Sequence, residues 1–284
     1  MLVRGLRFPS AVTAVGLNAL LAPLGAQAAC NEGRATLPAY AHNDYDNAAP
    51  LHDALRLGYT GAEADLVLVD GVLLVAHERR DARGGRTFEA LYLRPLLDLV
   101  ARCATVIAPP RKFLLSVELK ERSRAAHDSL EALLGRYEDV VGTIDPQGDA
   151  SAPVARQREA PVEVVLVGWH PALEELARRS TLHARVQLKL GSPDAREPAQ
   201  SALVRLVSLD YGKTIGRNRR RADAWLAALR RAKQAMPGRI ARVYNVPVRA
   251  VVYAELLEAG VDLIGTEDLA RTRRELARLP SSSR

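Results

Sequence analysis

The sequence predicts a single (β/α)8 barrel, and three observations carry that expectation. Eight short apolar runs alternate with helical patterns between residues 38 and 265. Strands that alternate with helices pair in parallel through right-handed crossovers, and eight of them in a chain of 284 residues favour closure over an open doubly wound sheet. Polar residues recur where the runs end, the face on which such barrels carry their chemistry. No internal repeat or second domain is visible.

The predicted strands are Pro38–His42, Gly61–Val67, Lys112–Leu119, Val162–Val167, Ala184–Leu190, Leu203–Leu209, Arg239–Tyr244 and Val261–Gly265. Helical spacing is read over Ala48–Leu57, Phe88–Cys103, Ala125–Tyr137, Pro171–Arg178, Ala222–Lys233 and Val248–Glu258, the last stopping at Gly260. Asp70-Gly71 between two apolar runs reads as a hairpin turn, which makes the segment to His77 an excursion from the barrel. Residues Gly142 to Ala160 lack periodicity and read as a long surface loop.

Arg4 and Arg7, the apolar stretch Ala11–Leu24 and Ala26-Gln27-Ala28 have the order of a secretory leader, so residues 1–28 are expected to be removed and 29–284 to form the barrel. Export to the periplasm or the medium follows. Gln27-Ala28-Ala29 lacks the aliphatic residue of a lipobox, which argues against lipid attachment at Cys30. An oxidising compartment permits a Cys30–Cys103 disulfide, and two cysteines do not make a zinc site. The formal charge of +7 falls to +5 once Arg4 and Arg7, the only charges in the leader, are gone. That balance suits anionic substrates or peripheral contact with an anionic membrane, and a solvated basic surface explains it equally. The run Arg217, Arg219, Arg220, Arg221 has no interleaved aromatics and is not read as nucleic-acid binding. With 48% hydrophobic and only 5% aromatic residues, the core rests on Leu, Val and Ala.

Glu63-Ala64-Asp65 lies within the second strand, so its two acids share one face. Acids side by side on an apolar strand repel and resist burial unless a cation or a basic group stands between them. Glu118-x-Lys120 and His42-x-Asp44 repeat the spacing at neighbouring strand ends, and His77 ends the hairpin.

Ala41-His42-Asn43-Asp44, Gly61-Ala62-Glu63-Ala64-Asp65, Asp70-Gly71 and Val75-Ala76-His77-Glu78 together resemble the glycerophosphodiester phosphodiesterase superfamily, of TIM-type barrels that include phospholipase C-like enzymes. His-Asn-Asp-Tyr is most similar to its branch named altered inheritance of mitochondria protein 6. Ser116–Lys120, Ala259–Asp262 and Thr266–Asp268 extend the likeness, which spans about residues 38 to 270. The resemblance implies that Glu63, Asp65 and Glu118 hold one divalent cation, Mg2+ or Ca2+, hard ions that prefer carboxylate oxygens. It implies that His42 and His77 are the acid–base pair, with His42 the base, and that Lys120 steadies a phosphate oxygen. Asn43, Trp169 and Tyr244 stand as substrate-binding candidates, although Trp169 equally suits packing. Asp44 is read as a loop or supporting group. Glycerophosphodiesterases follow the first histidine with Arg-Gly where this chain has Asn43-Asp44, so the missing positive charge falls to Lys120 or to an arginine elsewhere.

The expected activity is cleavage of a glycerophosphodiester or phospholipid head-group phosphodiester, by water or through a cyclic phosphate. A metal-independent phospholipase C-like enzyme is one rival reading. A catalytically silent barrel that binds a cell-envelope ligand is a second. A glycosidase is a third, disfavoured because Glu63 and Asp65 share one strand face rather than flanking a sugar ring.

Overall fold

Nine strands build one sheet in the computed structural model: β1 (Leu37–Ala41), β2 (Tyr59–Val69), β3 (Val72–Val75), β4 (Phe113–Leu119), β5 (Val162–Val167), β6 (Ala184–Lys189), β7 (Val204–Asp210), β8 (Ile240–Tyr244) and β9 (Leu263–Thr266). Eight of them run parallel in the order β1-β9-β8-β7-β6-β5-β4-β2, and β1 pairs with β2 to close the barrel. The ninth, β3, is antiparallel to β2. It turns through Asp70 and Gly71, both at positive φ (48° and 79°), as a tight hairpin turn requires. The structure describes Cys30 and residues 36–146, 158–189, 203–214, 219–235 and 238–280. The predicted leader, Arg217, Leu190 and most of the predicted loop 142–160 lie outside the described residues.

The crossovers carry α1 (His52–Arg56), α2 (Arg94–Cys103), α3 (Arg124–Leu134), α4 (Glu138–Val141), α5 (Leu173–Leu176), α6 (Tyr211–Thr214), α7 (Arg219–Ala235), α8 (Ala250–Glu258) and α9 (Leu269–Ala277). Two expected helices are much shorter than their patterns. The predicted 48–57 helix begins only at His52, because Pro50 disfavours helical geometry before it and Leu51 sits at φ 63°. The predicted 171–178 helix is the single turn α5. Conversely α9 follows the last strand where none was read. Its signal is Asp268, whose side chain accepts from the Arg271 N–H as an N-cap, with Leu269, Thr272 and Leu276 buried on one face.

Strand alternation sorts side chains into two layers. Ala62, Ala64, Leu66, Leu115 and Val117 face the helices in the main core, whereas Tyr40, Leu114, Val165, Leu206 and Leu263 fill the barrel interior. At the amino-terminal mouth Glu163 accepts from Arg205 Nε at 2.9 Å and pairs with Arg185 at 3.2 Å. Ion pairs at that mouth serve the fold, since barrels of this type place chemistry at the opposite end. Cys30 and Cys103 form a disulfide with Cα atoms 5.6 Å apart, tying the segment before the barrel to the end of α2.

Candidate active site

The register assembles the acids. β2 and β4 pair with Asp65 opposite Glu118 and Glu63 opposite Ser116. β1 pairs with β2 through Tyr40 and Gly61, and the His42 N–H bonds the Thr266 carbonyl, so His42 emerges at the carboxyl rim beside Glu63. Glu63, Asp65 and Glu118 offer oxygens that all lie within 4.8 Å of one another.

Glu63 is buried, and its Oε2 accepts from the Tyr40 hydroxyl at 2.5 Å and from Arg242 Nη1 at 2.8 Å. Burial alone would raise this carboxyl, but Arg242, His42 and the tyrosine bond outweigh it and hold it below the usual carboxylate range. Arg242 is itself buried, with Nε on the Ser208 hydroxyl and its guanidinium 4.7 Å from the Tyr40 ring centre and 5.1 Å from that of Tyr244. Burial works against its charge, and the Tyr40 and Glu63 oxygens more than restore it. Arg242 is thus an arginine beside the acids, yet it is committed to Glu63 from inside the barrel. Lys120 is the cation at the rim, 3.1 Å from Asp65 and 3.4 Å from Glu118. Burial tends to lower its pKa, and the two acids outweigh that and raise it.

Asp65 Oδ2 takes three contacts, from Tyr45 Oη at 2.7 Å, His77 Nδ1 at 2.8 Å and Lys120 Nζ at 3.1 Å. Its other oxygen, Oδ1, is buried and has no hydrogen-bond partner. A buried carboxylate oxygen without a donor is costly, and a cation is the partner that a carboxylate cluster accommodates. Hard oxygens, their spacing and this bare atom all fit a divalent ion. Tyr45 also reaches Asn43 Oδ1 at 3.2 Å and His77 Nδ1 at 3.3 Å. Burial, followed by the Asp65 carboxylate, pushes its phenol upward, so it remains a donor.

The two histidines stand on either side of the acids. His42 Nδ1 lies 3.0 Å from Glu267 Oε1, and its Nε2 is 3.9 Å from Glu63 Oε1. Asn43, in left-handed backbone geometry, donates to the same Glu267 oxygen at 3.1 Å. The Tyr244 ring lies 6.1 Å from that of His42. Trp169 is half-buried and packs against the main hydrophobic core. Sequence reasoning placed Tyr45 in the His-Asn-Asp-Tyr motif and Glu267 after the last strand but gave neither a role, and it missed Tyr40 and Arg242. An arginine at an inward position of an apolar strand is a signal for the latter, because a buried guanidinium requires an acid.

Gly168 lies at φ 73°, and a Cβ there would stand 2.9 Å from Glu118 Oε1. Gly168→Ala is therefore expected to displace Glu118 and to weaken by about tenfold any divalent cation the three carboxylates hold, the lower end of the usual effect of disturbing a metal's supporting groups. A Mn2+ binding titration checks this, and an unchanged affinity would contradict it.

Asp44 is a supporting group. It is fully buried and accepts from the Leu51 N–H at 2.6 Å and the Tyr92 hydroxyl at 3.0 Å. Burial raises its pKa to about 6 against these lowering contacts. The folded state thus binds this proton more tightly than the unfolded chain, whose aspartates titrate near pH 4. Its stabilising contribution is full below that pH and is lost as pH rises to about 6, a change of about 3 kcal/mol. In denaturant titrations the stability difference between wild type and Asp44→Asn should shift by about 2 kcal/mol from pH 4 to 6.5. A flat difference would contradict the assignment.

Comparison with known proteins agrees with these motifs. Residues 31–131 match the family model of the AIM6-like phosphodiesterase domain. An altered inheritance of mitochondria protein 6 homolog from Arthroderma benhamiae is 32% identical over 76 residues, which are 25% of this chain and 24% of that protein, so the match spans about a quarter of the relative's length. Among solved structures, a glycerophosphodiester phosphodiesterase from Agrobacterium tumefaciens is 15% identical, covers 84% of this chain and 98% of its own, and has a TM-score of 0.44. An Oleispira antarctica phosphodiesterase in complex with the product sn-glycerol-3-phosphate is 11% identical over 84% of this chain and 96% of its own, with a TM-score of 0.47. The segment that supplies His42, Glu63, Asp65, His77, Glu118 and Lys120 thus carries the signature of an AIM6-like phosphodiesterase domain, the branch of the glycerophosphodiester phosphodiesterase-like superfamily that its motifs resemble.

Proposed function

We propose that this chain is an exported, metal-dependent phosphodiesterase that cleaves glycerophosphodiester or phospholipid head-group phosphodiester bonds by His42/His77 acid–base catalysis. The observation that carries the reading is a three-carboxylate cluster flanked by two imidazoles, one of whose acids, Asp65, has a buried oxygen without a hydrogen-bond partner. Glu63, Asp65 and Glu118 would hold Mg2+ or Ca2+. When bound, such an ion supplies charge that offsets the phosphoryl oxygens.

The chain's own groups supply the proton chemistry. The Glu267 carboxylate fixes the Nδ1–H tautomer of His42 and leaves Nε2, on the Glu63 side, as the lone pair that takes a proton from the nucleophile. His77 donates Nδ1–H to Asp65, is more than half exposed, and offers Nε2–H to the leaving oxygen when protonated. Lys120 adds positive charge at the rim, and Asn43 and Tyr244 border the substrate side of His42. The nucleophile is a neighbouring substrate hydroxyl, giving a cyclic phosphate, or water. Three acids against Lys120 and Arg242 leave one negative charge, so a dication brings the cluster to one positive charge, a match for the monoanionic diester.

Export is supported by the leader pattern and by the Cys30–Cys103 disulfide, whose Cys30 sulfur is then not free to carry a lipid. One observation favours a metal-independent reading: Arg242 and Lys120 already pair with all three acids. Phosphorus NMR of a soluble glycerophosphodiester and a lysophospholipid, each with Mg2+, Ca2+ or chelator, separates the two. Turnover that chelator stops supports the proposal, and turnover in chelator supports the rival. No turnover of either substrate with any cation would overturn both.

A further inference from the structure

The acids of the cluster are held unevenly. On Asp65 the Oδ2 atom is in contact with Tyr45, His77 and Lys120, while Oδ1 is buried without a donor. On Glu63 the donors Tyr40 and Arg242 both take Oε2, which leaves Oε1 on the His42 side. A carboxylate that has one oxygen saturated by protein donors is locked in rotation, and its second oxygen is aimed. Of the groups that do this, Tyr45 alone joins Asn43, Asp65 and His77 through a single hydroxyl. Its ring is buried in the main core and its carbonyl accepts from Arg86 at 2.7 Å, so the hydroxyl has a rigid mount.

We propose that Tyr45 is the positioning residue of the cation site, its hydroxyl fixing the Asp65 carboxylate for the ion it would help hold and keeping His77 in register with that carboxylate. This rests on the reading of the cluster as a cation site. The role is one of affinity and alignment, since Tyr45 does not touch the reacting atoms. Supporting groups of this kind change metal affinity by about 10- to 100-fold.

Tyr45→Phe removes the one oxygen and keeps the ring that the core needs. Mn2+ binding to the mature, cation-free protein, followed by paramagnetic relaxation of water protons, reads the affinity without any turnover. Glu118→Gln, measured beside it, shows whether the ion sits in this cluster. The expected result is a Kd about 10- to 100-fold weaker in Tyr45→Phe, at an unchanged cation-free melting temperature, and binding lost in Glu118→Gln. Wild-type affinity in Tyr45→Phe, with binding lost in Glu118→Gln, would overturn this role and leave the cation site standing. Weaker binding that only tracks a fall in the cation-free melting temperature would assign Tyr45 to the fold and overturn it too. No Mn2+ binding by the wild type, or full binding in Glu118→Gln, would overturn the cation site and this role together.

Discussion

Replacing His42 by alanine should lower kcat on a phosphodiester by about 10²- to 10⁴-fold, the range a positioned general base contributes, with little change in stability. Its side chain is 22% exposed, and its polar contacts among the described residues run to Glu267 and Glu63. Leaving-group chemistry then separates the two histidines. A nitrophenolate leaves without a proton, so His77→Ala should cost much less on a glycerophosphoryl nitrophenol than on a glycerophosphodiester with an alkyl leaving group. His42→Ala should cost about the same on both, because the nucleophile needs its base in either case. The reverse pattern, with His42 forgiven by the good leaving group, would exchange the assigned roles.

The second large effect concerns stability. Glu63→Ala should lower the unfolding free energy by about 3–5 kcal/mol, since it strands a buried charge. Arg242 is buried, and Glu63 is the carboxylate it pairs with, at 2.8 Å. Loss of activity in that variant would therefore mix lost chemistry with a damaged barrel. Glu118→Gln is the cleaner probe. Its side chain is 35% exposed and is paired with Lys120 at the rim, so its melting temperature should stay near wild type while cation-dependent turnover is lost. Denaturant titrations of the two variants side by side test this, and equal stability would contradict the buried pair. Because the cost comes from the unpaired guanidinium, Glu63→Leu combined with Arg242→Met should recover most of the lost stability but none of the activity.

Much of the barrel was legible because local rules set it. The Glu63-x-Asp65 and Glu118-x-Lys120 spacings place those side chains on one strand face, and the parallel register then sets Asp65 opposite Glu118. The Asp70-Gly71 turn carried its own backbone signature. What stayed hidden depends on partners remote in sequence. Arg242 meets Glu63 across 179 residues, and Glu267 meets His42 across 225. Tyr45 read as part of a motif, but its hydroxyl contacts follow from a short helical turn, Asp44–Asp46, that composition does not announce. The predicted helix over 48–57 overreached because apolar spacing outweighed Pro50 in the reading, whereas the backbone obeyed the proline.

The most direct test of the central claim is turnover of a glycerophosphodiester with Mg2+, with Ca2+ and with chelator, beside His42→Ala and Glu118→Gln. The account predicts turnover that needs a divalent ion, is restored when the ion is returned after chelation, and is lost in both variants at wild-type stability. Turnover that persists in chelator, or that survives in Glu118→Gln, would contradict a cation held by Glu63, Asp65 and Glu118.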